Sequence, residues 1–467
     1  MKSRIWKLAV CIVVPIGILM LPVPQGLTPV AWQLVALYIA AILGLLLRPM
    51  PEPAVLLAVI GVASLCFRNL PTMLAGYTSP TVWLVFCAFM IGTAIVQTGL
   101  GRRFAYVLIG RMGKGTLGLG YVTAFTDLVL SPVTPSNTAR SGGIIFPIVR
   151  SLADSLGSRP GATSRRVGAY LTVLLYQISL TTGYIFITGI APNFLSAKFG
   201  QQILKIDITW LLWFKAAVVP GMICLMIVPL LVYWMYPPEL KSFDSRELSK
   251  KGLADLGPFS RREKVLSVLF VLAILGWATG GITKIDATAV AIAFVGACLV
   301  LGVITWDDLA VTKGAWSTLI WYGGVVGLAD GLAKAKFFEW MAKVLSSSFN
   351  FNGLNPILTL AILVLISLLV RYLFASMATF VTTMVPVLLT LALVAHVPVY
   401  PAFFLIAFAA CYGCVLTHYG GAVGPVLFGE GYVDQATWWK IGAVFTLVSF
   451  VIHMTIGLFY WKLIGLW

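Results

Sequence analysis

Ser131-Pro132-Val133-Thr134-Pro135-Ser136-Asn137-Thr138-Ala139-Arg140-Ser141-Gly142-Gly143 lies between two apolar runs, 117–130 and 144–149. A bilayer-spanning helix needs about 20 apolar residues, so neither run crosses alone. The spacing predicts a re-entrant hairpin whose polar tip stops near mid-membrane. Open backbone is tolerated at that depth only where protein encloses it or it lines a watery cavity. The tip carries hydroxyls, an amide, free N–H groups and one cation, an inventory for holding a carboxylate.

The rest of the chain fits a membrane setting. Of its 467 residues 60% are hydrophobic and only 10% charged, with mean hydropathy +0.98; soluble domains carry roughly 25% charge. The reading is an all-α polytopic protein of the cell inner membrane, with the bilayer as a partner. The net charge of +16 falls largely in loops and flanks: Lys2, Arg4 and Lys7; Arg102, Arg103, Arg111 and Lys114; Arg150, Arg159, Arg165 and Arg166; and the stretch 241–264. Positive-inside topology and anionic lipid account for it without nucleic acid. Cys411 and Cys414 form a Cys-x-x-Cys within an apolar helix and read as packing residues, like the other five cysteines. The N-terminus resembles a signal peptide but lacks a small-x-small cleavage site, so a retained first helix is expected.

Spanning helices are expected at 8–24, 29–48, 53–67 and 81–98, followed by a cation-flanked interfacial arm at 99–115. The hairpin occupies 116–151, and an apolar segment at 167–200 is broken by Gly189-Ile190-Ala191-Pro192-Asn193. After a helix at 207–235, the polar stretch 236–263 divides the chain and reads as cytoplasmic. The second half repeats the first, with helices at 264–282, 286–304 and 314–333, a hairpin at 353–395, a broken segment at 400–430 and a last helix at 436–464. Ser136-Asn137-Thr138 is echoed 240 residues later by Ser376-Met377-Ala378-Thr379, and Pro147 by Pro386. The first break is echoed by Gly421-Ala422-Val423-Gly424-Pro425, and Val82 to Gly92 by Leu319 to Gly327. Interrupted helices at matching places in two halves point to a secondary transporter with its site at the repeat interface. The expected organisation is scaffold helices and arm (1–115), a first transport part (116–206), a helix, linker and further scaffold (207–352), a second transport part (353–435) and a closing helix (436–467).

A dianion carries two carboxylates, and each must exchange its hydration for donors. Facing tips would offer one donor cluster to each: Ser136, Asn137 and Thr138 at one end, Ser376, Thr379 and Thr382 or Thr383 at the other. The competing reading is that these residues only cap hairpin ends. Arg140 is an ionisable group at membrane depth and so a functional candidate; structural pairing is its alternative. Asp127 reads as a structural partner for Arg140 or for a backbone end, or as a proton carrier. His418 is either a second functional group or a packed histidine, and Arg371 reads as an interface or structural residue. No phosphate-binding Gly-x-x-x-x-Gly-Lys loop is present, so ATP is not the driver. No metal or cofactor is expected.

At these residues the chain resembles the divalent anion–sodium symporter family over nearly its whole length. The segments 131–148, 191–193, 416–432 and 79–103 are similar to its exchanger branch, which includes bacterial citrate/succinate and tartrate/succinate antiporters and the plastid 2-oxoglutarate/malate translocator. The resemblance implies a homodimer, a scaffold plus a transport domain moving as an elevator, and substrate contacts at both tips (Ser136, Asn137, Thr138; Ser376, Met377, Ala378, Thr379) and both breaks (Pro192, Asn193; Gly424, Pro425). Sodium-coupled members carry Ser-Asn-Thr at both tips, whereas the second tip here lacks the Asn. In the exchanger branch basic residues stand in for sodium. Arg140 fits that role, and where many relatives have His this chain has Phe380, so His418 is expected to supply the second positive or donor group. A fixed cation also predicts exchange, because an unloaded carrier with an uncompensated buried charge resists crossing. The leading reading is a sodium-independent antiporter of 2-oxoglutarate, malate and succinate. A sodium-coupled dicarboxylate or citrate symporter is the alternative, and a membrane enzyme using His418 with Asp434 or Glu430 the reading from another class.

Overall fold

The computed structural model describes residues 2–112, 115–243, 246–348 and 354–467, without the side chains of Lys2, Ser3, Met112 and Leu248. Lys114 and the predicted start of the second hairpin at Gly353 lie outside the described residues. Every regular element among the described residues is helical. Nine of these helices are long and apolar enough to cross a membrane.

The halves correspond element by element. Pro29–Leu47, Glu52–Phe67 and Pro80–Thr98 are answered by Arg261–Thr283, Ala287–Val300 and Lys313–Lys334. The arm Leu100–Met112, amphipathic and closed by Arg111, is answered by Phe337–Ser348. Each half then has a hairpin, a broken helix and a long closing helix, Trp210–Met235 or Gln435–Ile452. Lys2–Met20 precedes the repeat. Counted from Pro29 and from Arg261, each half has three helices, a broken helix and a closing helix besides a hairpin that returns to its own side. That is an odd number of crossings, so the two are inverted. Local signals set the helix starts. Thr28 and Asn355 cap helices that open on Pro29 and Pro356, and Ser260 with Glu263 forms a capping box.

The helix Lys313–Lys334 presents Gly323, Gly327 and Gly331 at four-residue spacing to the segment 70–78. A Cβ on Gly76 would sit 1.9 Å from the Gly323 carbonyl oxygen, and one on Gly327 would sit 2.5 Å from that of Met73. Small residues let membrane helices meet backbone to backbone in this way.

The outbound arm of the first hairpin, Gly115–Val133, is 19 residues long, a helix extended by one 3₁₀ turn. It is longer than the 117–130 read from hydropathy, and rises about 28 Å, so arm length does not hold the tip at depth. Contact does: the Pro135 carbonyl accepts the Ala191 N–H (3.2 Å) at the break of the neighbouring helix. The return arm begins as a π-helix, Thr138–Ile145, and continues as Phe146–Ser155. The second hairpin, Pro356–Val370 and Met377–Val394, returns as an ordinary α-helix containing Pro386. Eleven residues separate Ser136 from Pro147 but ten separate Ser376 from Pro386. A π-helical stretch absorbs one such extra residue.

The broken helix Gly168–Ile185 is buried along its whole length, as expected of a helix apolar on every side. Trp213 Nε1 donates to the Tyr184 carbonyl (2.7 Å) and Trp461 Nε1 to that of Ala216 (2.8 Å). The helix Trp210–Met235, grouped by sequence with the second-half scaffold, thus packs against the broken-helix body.

Candidate functional site

Both tips start their return helices in the same way. Ser136 Oγ accepts the Ala139 N–H and Ser376 Oγ the Thr379 N–H, each at 3.3 Å. The two serines do cap, as the plainer reading had it. Their neighbours differ. Asn137 is 7% exposed, yet its amide makes no hydrogen bond within the described residues, nor does the half-buried Thr138 hydroxyl. The buried Thr134 Oγ1 also lacks a partner.

A cavity of about 480 Å³ opens on this tip, lined there by Thr134, Pro135, Ser136, Thr138 and Ala139. Its far wall is formed by Thr93 and Gln97 near the end of Pro80–Thr98, and by Asp308 and Thr312 ahead of Lys313–Lys334. Ligand sites generally fall between 300 and 1,000 Å³ (roughly). Its lining residues include no cation. Asp308 is committed to the backbone N–H and hydroxyl of Thr305, both at 2.8 Å.

Arg140 lies behind this surface, fully buried. Nε donates to Asp127 Oδ2 (3.0 Å), Nη1 to the carbonyls of Thr134 (2.7 Å) and Gly189 (3.0 Å), and Nη2 to the Ser179 carbonyl (3.3 Å) and Thr182 Oγ1 (3.2 Å). Every N–H is used, and the charge is balanced by Asp127, itself bonded by Ser141 Oγ (2.6 Å) and Thr182 Oγ1. Of the two readings of Arg140, the geometry is that of structural pairing: the guanidinium stitches the tip to the first break and is not presented to the cavity.

The second tip packs elsewhere. Tyr38 of Pro29–Leu47 donates to the Thr382 carbonyl, and Thr379 Oγ1 approaches that of Leu45 at 3.5 Å. Met377 and Thr379 are buried, while Ser376 and Ala378 are half-buried. None of the four lines the cavity at the first tip, so the two donor clusters expected to face each other do not share one space here. Arg371, in the 3₁₀ turn before this tip, is 1% exposed. It donates to the carbonyls of Phe374 (2.7 Å) and Gly420 and to Cys414 Sγ (2.9 Å).

At the first break Asn193 is wholly occupied. Nδ2 donates to Gly183 (2.7 Å) and Phe186 (3.1 Å) carbonyls, and Oδ1 accepts from Cys411 Sγ (3.4 Å). Pro192 beside it is half-buried. At the second break Gly424 is buried where a Cβ would lie 2.3 Å from the His418 carbonyl oxygen, and Pro425 is exposed. Tyr176 OH ties this break together, donating to Cys414 (2.9 Å) and Thr417 (3.1 Å) carbonyls and accepting the Gly421 N–H (3.0 Å).

His418 stacks on Phe428 with ring centroids 4.3 Å apart. Its Nδ1 accepts the Trp439 indole N–H at 3.1 Å, which requires an unprotonated Nδ1 and hence a neutral ring. The expectation of a second positive charge here is corrected to an uncharged imidazole. Glu430 pairs with Arg150 (2.8 Å) and Asp434 caps Thr437 (2.9 Å), so neither partners His418. No group of metal-binding side chains occurs among the described residues.

Cavity walls at Gln97, Asp308 and Thr312 escaped the sequence reading, because they come from segments far apart in the chain. Arg371 carried a usable signal, a cation deep in an otherwise apolar hairpin.

The whole chain, residues 2–467, matches the family model described as sodium:sulfate symporter transmembrane region. It is 46% identical to the inner membrane protein YbhI of Escherichia coli K12, covering 100% of this chain and 99% of that protein. It is 36% identical to the citrate/succinate antiporter of the same organism, covering 100% and 99%. It is also 36% identical to the chloroplastic dicarboxylate transporter 1 of Arabidopsis thaliana, covering 96% and 81%. Among solved structures, the Alcanivorax borkumensis YdaH transporter shares the fold with TM-score 0.59 at 14% identity, covering 92% of this chain and 98% of that one. The chain is a multi-pass membrane transporter, not an enzyme, and belongs to the divalent anion–sodium symporter family.

Proposed function

We propose that this protein of the inner membrane exchanges C4–C5 dicarboxylates such as 2-oxoglutarate, malate and succinate, independently of sodium. The observation that carries the reading is the first tip. The orphaned Thr134 hydroxyl and the Thr138 hydroxyl line a cavity there large enough for a small acid, and the almost buried Asn137 lies between them and the return helix. Buried polar groups without protein partners are costly unless something else satisfies them. One substrate carboxylate takes up these donors together with Ser136 and the N–H groups that begin the return helix. The other carboxylate is assigned to Ser376, Met377, Ala378 and Thr379 of the second tip, which belongs to the same moving body as the first. Pro192, Asn193, Gly424 and Pro425 shape the breaks behind the tips. Arg140 acts here as a positioning residue, and His418 as a neutral donor through Nε2.

Exchange draws support from relatives named as citrate/succinate and L-tartrate/succinate antiporters. Sodium independence draws support from the second tip, where Met377 and Ala378 remove the amide oxygen a sodium ion would need. The moving body we infer comprises the hairpins, the broken helices and the two closing helices. It slides as an elevator against a scaffold that also mediates homodimer contact. The test is uptake of radiolabelled 2-oxoglutarate into proteoliposomes, with and without internal succinate, in sodium and in potassium buffer. Uptake that requires internal succinate and ignores the cation is expected. Uptake into empty vesicles driven by a sodium gradient would establish the symporter, the reading favoured by the family model's own description.

A further inference from the structure

The two closing helices keep a register of 225 residues: Trp213 corresponds to Trp438, and Cys224 to Ser449. Each lies against the end of a broken helix. Trp213 Nε1 donates to the Tyr184 carbonyl (2.7 Å), and Thr446 Oγ1 donates to that of Tyr412 (3.5 Å). Tyr184 is the last residue but one of Gly168–Ile185, and Tyr412 is the last of Val399–Tyr412. The broken helices thus bring equivalent tyrosines to one place. Their ring centroids are 6.4 Å apart, and the His453 ring packs against both, 5.4 Å from Tyr184 and 5.1 Å from Tyr412. The Cys224 thiol lies beside Tyr184 and Ser449.

All five side chains are fully buried. Among the described residues, Tyr184 OH, Tyr412 OH, Ser449 Oγ and His453 Nε2 nevertheless have no hydrogen-bond partner. The tautomer of His453 follows from its other nitrogen. Nδ1 stands 2.7 Å from the Ser449 carbonyl, which can only accept, so Nδ1 carries the proton and Nε2 of the neutral ring presents a lone pair. Three hydroxyls and one acceptor are therefore brought together from three helices, at a depth where each unsatisfied group is costly. Where the histidine enters, the closing helix widens into the π-helical turn His453–Gly457, a distortion frequent at functional sites.

We propose that this cluster binds ordered water, which bridges the ends of the two broken helices. Water suits the inventory: it donates to Nε2 and still exchanges hydrogen bonds with the hydroxyls, and a buried water makes about three such bonds. A bound cation would call for carboxylates or several carbonyl oxygens, and none of the four atoms carries a charge. The site is separate from the cavity at the first tip, whose lining includes none of these residues, and is independent of what is transported.

The double variant Tyr184→Phe with Tyr412→Phe decides by the sign of its effect. Phenylalanine keeps the rings and removes only the hydroxyl oxygens. Hydroxyls bonded to water contribute to stability, so the melting temperature in detergent should fall by about 2 °C, and by about half of that in each single variant. Hydroxyls with no partner at all would destabilise the fold, so an unchanged or raised melting temperature overturns the proposal. The measurement is repeated in sodium, potassium and choline chloride, where equal shifts are expected. Extra stabilisation of the unaltered protein by sodium or potassium that vanishes in the double variant would put a cation in the site and overturn it too. Should the double variant fail to fold, a density map of the unaltered protein that resolves ordered water decides. A peak within hydrogen-bond reach of His453 Nε2 and at least one tyrosine hydroxyl is expected, and a cluster without one refutes the assignment.

Discussion

Asp127→Asn is the sharpest probe of the first tip. The substitution keeps the shape of the carboxylate and removes its charge. Asp127 accepts from Arg140 Nε (3.0 Å), Ser141 Oγ (2.6 Å) and Thr182 Oγ1, and both members of the ion pair are fully buried. Breaking a buried pair from one side costs about 3–5 kcal/mol, because the remaining charge is stranded. Unfolding entropy of roughly 2.1 cal/mol/K per residue, over 467 residues, comes to about 1 kcal/mol/K. The melting temperature should then fall by roughly 3–5 °C. Thermal unfolding in detergent, followed through the intrinsic fluorescence of the 15 tryptophans, measures it. The double variant Asp127→Leu with Arg140→Met removes both charges and should recover most of the loss. A wild-type melting temperature for Asp127→Asn, or a double variant that loses the sum of the single effects, would refute a pair held for mutual neutralisation.

The two asparagines should separate binding from stability. Asn137→Leu, at an amide without protein partners, should weaken dicarboxylate binding at least tenfold with unchanged melting. Asn193→Leu, which strands the carbonyls of Gly183 and Phe186, should cost about 1–3 kcal/mol of stability; the converse pattern would reverse their roles. Gly189→Ala places a Cβ 2.6 Å from the Gly183 carbonyl oxygen and 2.8 Å from Ser131 Oγ, so exchange should be lost even where the protein still reaches the membrane. Asp330 on Lys313–Lys334 receives Lys198 Nζ (2.8 Å) and Gln202 Nε2 (2.7 Å) from beyond the first break, a tie between the inferred moving and static parts. The pair is partly exposed and worth no more than about 1 kcal/mol, so Asp330→Asn should speed exchange by up to about fivefold; an unaltered maximal rate would show that the tie does not restrain movement.

The repeat was legible because each re-entrant tip is a short polar gap between apolar runs, and each break contains Gly and Pro where a helix cannot continue. The capping serines at 136 and 376 followed from the same pattern. Partnerships were harder to read. Asp127 and Arg140 are thirteen residues apart on opposite arms of a hairpin, so their pairing depends on how the arms register. The π-helix left only a faint trace, the unequal spacing of Ser136–Pro147 and Ser376–Pro386. His418 looked like a potential cation until Trp439, 21 residues later, brought an N–H to its Nδ1. The cavity wall opposite the first tip joins residues near 97 to residues near 308, a proximity that no local pattern encodes.

The glycine seam between the segment 70–78 and Lys313–Lys334 has a mechanical consequence. Two helices faced with side chains can trade one set of rotamers for another and glide. Two bare backbones meshed at 1.9 and 2.5 Å of a would-be Cβ have nothing soft between them. Slippage there would have to advance by a whole helical turn, about 5.4 Å, lifting every tooth at once. Such a joint behaves as a weld, so any large displacement in this protein must shear along other faces, and a Cβ added at Gly76 or Gly327 would crack the frame without touching the cargo.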